Sequence, residues 1–87
     1  MTQVSGRHRR TLEQLFARPT SGTIHWTDIE ALLRHLGANL TEGNGSRVRI
    51  QLNGALAVFH RPHPQPTTDK GAVADMRKFL TAAGIRP

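Results

Sequence analysis

The sequence predicts an α+β domain made of two helices, a three-stranded antiparallel sheet packed on helices, and a closing helix. Three observations carry that prediction. Apolar residues recur at helical spacing in three separate segments: Leu12, Leu15 and Phe16; Ile29, Leu32, Leu33 and Leu36; and Val73, Met76, Leu80 and Ala83. Between the second and third segments, Val48, Ile50 and Leu52 alternate with Arg47, Arg49 and Gln51, the period of a strand with one buried face. Asn53-Gly54 follows directly and is a strong two-residue hairpin signal.

Each element can be justified in chain order. Residues 1–6 have no pattern and are expected to fray. Arg7-His8-Arg9-Arg10 opens the first helix, and Pro19 stops it. Residues 20–26 read as a connector, with Ser21-Gly22 as a turn and Thr23-Ile24 briefly extended. His25 reads as a surface residue, and the single tryptophan, Trp26, as an anchor at the edge of the core. Residues 1–23 therefore form a helical extension and connector, and 24–87 the domain proper.

Thr27-Asp28-Ile29-Glu30 has the form of a capping box, so a helix is expected over 27–36, with Gly37 as its left-handed stop. Arg34 and His35 fall in the last turn, where positive charge suits the helix dipole. Residues 38–42 make a short strand with Leu40 inward, and Gly43-Asn44-Gly45-Ser46 is a turn. Residues 55–60 form the return strand of the hairpin, after which Pro62, Pro64 and Pro66 break regular structure. Thr68 or Asp69 can cap the last helix, Gly84 ends it, and Arg77 and Lys78 lie on its exposed side.

With Asn53 and Gly54 as the loop, the register follows by counting. Leu52 faces Ala55, Ile50 faces Ala57 and Val48 faces Phe59 on the core side. On the other side, Arg49 faces Val58 and Arg47 faces His60. Spacing alone thus sets an arginine beside a histidine on the open face of the sheet.

Composition narrows the function classes. The 87 residues suit one small domain with a marginal core. There are no cysteines, which excludes disulfides and Cys-based zinc sites and fits a reducing compartment. No apolar run is long enough for a membrane span or a signal peptide, so a cytoplasmic location is expected. The net charge is +6 and the basic residues are mostly arginine, which suits planar contact with phosphate or carboxylate. Such a balance points to nucleic acid or an acidic protein partner.

Five histidines are present, and His60 and His63 are the pair nearest the hairpin. They lack a third ligand at matching spacing, and Arg61 between them would repel a cation, so no metal and no cofactor are expected. Acid–base work suits them better. Cleaving an RNA phosphodiester needs a base, an acid and a cation for the charged intermediate. His60, His63 and Arg47 are the candidate catalytic groups. Ser46, Arg47, Arg49, Arg61 and Lys70 are the candidate RNA contacts, with Arg61 among the phosphate clamps.

Several short motifs resemble the HicA family of toxin–antitoxin ribonucleases. They are Leu32-Leu33-Arg34-His35-Leu36-Gly37, Gly45-Ser46, Pro62-His63, Lys70-Gly71 and the run from Leu80 to Ile85, in that order, across residues 24–86. The resemblance implies a double-stranded-RNA-binding-like α-β-β-β-α core, here with an extra N-terminal helix. It also implies metal-independent cleavage of mRNA and neutralisation by a cognate HicB-like antitoxin that masks the active site. The usual family motif is Gly-Ser-His, whose histidine is catalytic. This chain has Gly45-Ser46-Arg47. An arginine does not shuttle protons near neutral pH. The resemblance therefore implies either that His60 or His63 takes over, or that the domain is a catalytically weakened or inactive RNA- or antitoxin-binding module.

Overall fold

The computed structural model describes residues 4–87, so what the sequence suggests for residues 1–3 lies outside the described residues. Along the chain come α1 (Gly6–Phe16), β1 (Ile24–His25), α2 (Trp26–His35), β2 (Asn39–Glu42), β3 (Arg47–Leu52), β4 (Ala55–His60), β5 (Thr67–Thr68) and α3 (Lys70–Ala82). The fold is α+β, with a three-stranded antiparallel sheet in the order β2-β3-β4.

The alternation in β3 decides which face is covered. Val48, Ile50 and Leu52, with Phe59 from β4, enter one cluster with Ile29, Leu32 and Leu33 of α2 and Val73, Met76 and Leu80 of α3. Arg47, Arg49 and Gln51 stay exposed on the opposite face. Every hairpin pair expected from the sequence is present, from Leu52 opposite Ala55 to Arg47 opposite His60. The turn holds Asn53 at φ 50 and Gly54 at φ 85, both positive, as a two-residue turn of the twisted hairpin type requires. The Asn53 side-chain amide also donates to the Ala83 carbonyl at 2.9 Å, tying the turn to the end of α3.

The helix ends follow local chemistry. The Gly37 and Ala38 amides donate to the Arg34 and Leu33 carbonyls at 3.0 and 2.9 Å, closing α2 in the pattern of a left-handed cap. Asp69 accepts from the Ala72 amide at 2.8 Å and so caps α3; Thr68 is buried instead.

Three expectations need correction. First, the capping box does not form: α2 begins at Trp26, its N-cap is His25, and no side chain caps it. The start is shifted because the Trp26 amide donates to the Pro66 carbonyl at 3.0 Å, while the Glu30 carboxylate accepts from the Trp26 indole and from Arg61. Second, residues 61–66 lack helix and strand as the prolines predict, but a strand pair that the sequence does not suggest forms just beyond them. Thr67 and Thr68 pair antiparallel with His25 and Ile24 in a separate two-stranded ribbon. Third, Arg77 is not a solvated residue. Its Nε donates to the Leu15 carbonyl at 2.8 Å and its Nη2 to Thr20 Oγ1 at 3.1 Å, holding the C-terminal end of α1. The first helix is accordingly part of the core: Leu12 and Leu15 are buried, and α1 packs on both α2 and α3.

Candidate functional site

The open face of β3 and β4 carries a row of paired side chains: Arg47 with His60, Arg49 with Val58, and Gln51 with Leu56. Period two puts these residues on one face, and the register sets them opposite one another, with Cβ atoms about 4.5–5.5 Å apart. Arg47, Arg49 and His60 are all exposed. At the base of the row, Gly43 allows a close approach: a Cβ there would lie 3.1 Å from the Cβ of Arg47. The Arg47 carbonyl accepts from the Gly43 amide at 2.9 Å, so the turn before β3 holds the arginine backbone in place. One step beyond, the Arg61 amide donates to the Ser46 carbonyl at 2.9 Å, extending the ladder past the Arg47–His60 pair.

Arg61 itself points the other way. The alternation that sends His60 to the open face sends the next residue to the helix side. There its Nε and Nη2 reach the two carboxylate oxygens of Glu30, and its Nη1 reaches Glu42 at 2.7 Å. Glu30 also accepts from the Trp26 indole and lies 3.7 Å from Arg34. Burial works to raise the Glu30 carboxyl, but the hydrogen bonds from Arg61 and Trp26 and the charges of Arg61 and Arg34 outweigh it, leaving it below the usual carboxylate value. Bonding to Glu30 and then Glu42 holds Arg61 all the more firmly in its charged form. The expectation that Arg61 stands free beside Arg47 and His60 as a phosphate clamp therefore changes. Its guanidinium closes the end of the sheet on the opposite side.

The two histidines border different depressions, with Asp69 common to both. His60 borders a groove with Val58, Asp69, Gly71, Ala72 and Asp75, whereas His63 borders a depression with Gly22, Pro62, Gln65, Thr67 and Asp69. Arg47 lines a third, with Gly43, Asn44, Arg49 and Val58. Both histidines are exposed. Lys70 is exposed at the start of α3, and its Cγ would lie 3.2 Å from a Cβ at Gly22, which places it on the side of His63. Among the described residues, no three His, Cys, Asp or Glu side chains are grouped as a metal would need.

The structure thus brings Arg47, Arg49 and His60 together, adds Ser46 through the backbone, and sets His63 and Lys70 to one side. Glu30 and Glu42 were missed as partners of Arg61. Continuing the period-two count one residue past His60 would have placed Arg61 on the helix side and exposed the need for an acidic partner there. Chemically, the open face offers an arginine for a phosphate and an adjacent exposed imidazole for proton transfer.

No helix among the described residues is long and apolar enough to cross a membrane. Residues 26–85 match a family model described as the HicA toxin of bacterial toxin–antitoxin systems. No curated protein and no solved structure gives a significant match to the chain.

Proposed function

The chain belongs to the HicA toxin family, and from that premise we propose that it is the toxin of a HicA/HicB-type pair, binding and cleaving mRNA in the cytoplasm without a metal until a cognate antitoxin covers its open sheet face. The observation that carries this reading is the Arg47–His60 pair. In it, Arg47 holds the scissile phosphate and steadies the negative charge that develops there. His60 moves the proton at the attacking 2′-hydroxyl or the leaving 5′-oxygen, and His63 serves the other proton step from its neighbouring depression. Arg49, Lys70 and the turn at Ser46 hold flanking phosphates. Arg61 supports the site from behind, by fixing the end of the strand that carries His60.

A second reading has one observation in its favour. Arg47 stands where the resemblance expects the catalytic histidine, and its guanidinium stays protonated. On that reading the domain binds RNA or antitoxin and does not cleave. Inducing the wild type, His60→Ala, His63→Ala and Arg47→Ala in cells, while following growth and mRNA integrity, separates the two. Growth arrest and mRNA loss that His60→Ala relieves support the nuclease. Arrest that neither histidine variant relieves overturns the acid–base assignment. A wild type that neither arrests growth nor cleaves RNA in vitro overturns the toxin reading.

A further inference from the structure

The segment between β4 and α3 walls a depression of about 330 Å³, where Pro62, His63, Gln65, Thr67 and Asp69 meet Gly22. That volume is at the low end of small-ligand sites. The wall is held at both ends. On one side the Arg61 amide donates to the Ser46 carbonyl at 2.9 Å. On the other, the Trp26 amide donates to the Pro66 carbonyl at 3.0 Å, and Thr67 pairs with His25. Pro62, Pro64 and Pro66 fix φ in between. The depression is therefore formed before any ligand arrives. Its polar groups are unlike the arginine row on the sheet. Gln65 brings an uncharged carboxamide and Asp69 a carboxylate. One Asp69 oxygen is fixed by the Ala72 amide at 2.8 Å. Among the described residues no ion pair neutralises Asp69, whereas Glu13, Glu30 and Glu42 each hold an arginine.

We infer that this depression takes an unpaired guanine base of the RNA, an inference that rests on the reading of the chain as an RNA-binding toxin. A carboxylate only accepts hydrogen bonds, so it turns phosphate away and selects donors. Guanine alone among the standard bases sets two donors side by side on its Watson–Crick edge, N1–H and N2–H, with the O6 acceptor next to them. The Asp69 carboxylate suits the two donors and the Gln65 amide suits O6. Adenine and cytosine set a ring-nitrogen acceptor beside their amino group, and uracil flanks its N–H with carbonyls. Each of these would bring a lone pair against the carboxylate and leave it short of a donor. Pro62 and the ring of His63 border the depression with flat surfaces on which a base can lie. Lys70 stands at the rim beside Gly22, within reach of an adjoining phosphate. Asp69 borders both this depression and the groove of His60. A guanine seated here would thus lie next to the nucleotide held by the Arg47–His60 pair and would set where the RNA is cut.

The test is fluorescence anisotropy of the full chain with short single-stranded oligo-uridines carrying one central guanine, adenine, cytosine or inosine. Their sugars are 2′-O-methyl, so the attacking hydroxyl is blocked and binding is read apart from cleavage. Asp69→Asn and Gln65→Ala are measured alongside, with circular dichroism as the check on folding. Asparagine also caps helices through its side-chain oxygen, so Asp69→Asn keeps the bond to the Ala72 amide and turns only the second oxygen into a donor. The guanine oligonucleotide is expected to bind wild type about tenfold tighter than the adenine one, with inosine, which lacks the N2 amino group, in between. Asp69→Asn should abolish that preference while binding the all-uridine chain no more weakly than wild type does, and Gln65→Ala should reduce it. RNA bound without a preference for guanine overturns this inference and leaves the RNA reading standing. So does a guanine preference that folded Asp69→Asn retains. A chain that binds none of the oligonucleotides overturns both.

Discussion

At the scale of single residues, Glu30 decides how the site is supported. Its side chain is only 16% exposed and receives Trp26, Arg61 and Arg34 at once. Replacing it with alanine strands the Trp26 indole and leaves Arg61 with Glu42, whose side chain is 73% exposed. The expected loss is about 2 kcal/mol, read as a lower urea midpoint at neutral pH. The acid limb should change too. The Glu30 carboxyl sits below its ordinary value of 4.5 in the folded state, so its contribution is present above that value and is lost as pH falls through its lowered folded-state value. Glu30→Gln should therefore flatten the fall in stability below pH 4.5 relative to wild type. This network was hard to read from sequence because Glu30 fits two local rules. It sits three residues after Thr27, as a capping box asks, and one turn after Trp26. The tertiary partner, Arg61, is 31 residues away and decides between them.

At the scale of elements, the hairpin was fully legible and α1 was not. A strict period of two, closed by a turn of known length, leaves one register for β3 and β4. The apolar stripe of α1 shows that it packs, but not on what. The anchor is Arg77, 62 residues from the carbonyl it binds, and a charged residue on a helix looks solvated until its partner is seen. Leu15→Ala should cost about 2–4 kcal/mol in a denaturant titration if α1 is core and much less if it is an appendage. A second signature is titratable. The rings of His8 on α1 and His35 on α2 stack with centroids 4.5 Å apart. Burial, then the charges of His35 and Arg7, push His8 below its ordinary 6.5. A histidine so lowered binds its proton more readily when unfolded, so stability should fall as pH drops below 6.5, and His8→Gln should blunt that fall.

At the scale of the whole molecule, charge and layering set what each side can meet. The helices cover one face of the sheet, leaving the Arg47, Arg49 and His60 face open. If that face carries RNA, affinity should fall steeply with salt, and Arg49→Ala should reduce the slope of log affinity against log salt by about 0.7–0.9 without altering sequence preference. The layering was legible because three apolar stripes and one alternating strand admit few arrangements. The β1–β5 ribbon was not, because two-residue strands carry no period. Trp26 is the sole tryptophan, its indole bound to the carboxylate that also grips Arg61 and its ring 6.0 Å from that of Phe59. The strand that ends in His60 is thus wired to the chain's only strong ultraviolet emitter. A change in its fluorescence on adding RNA or antitoxin would report, in real time and without a label, that the end of β4 has been disturbed.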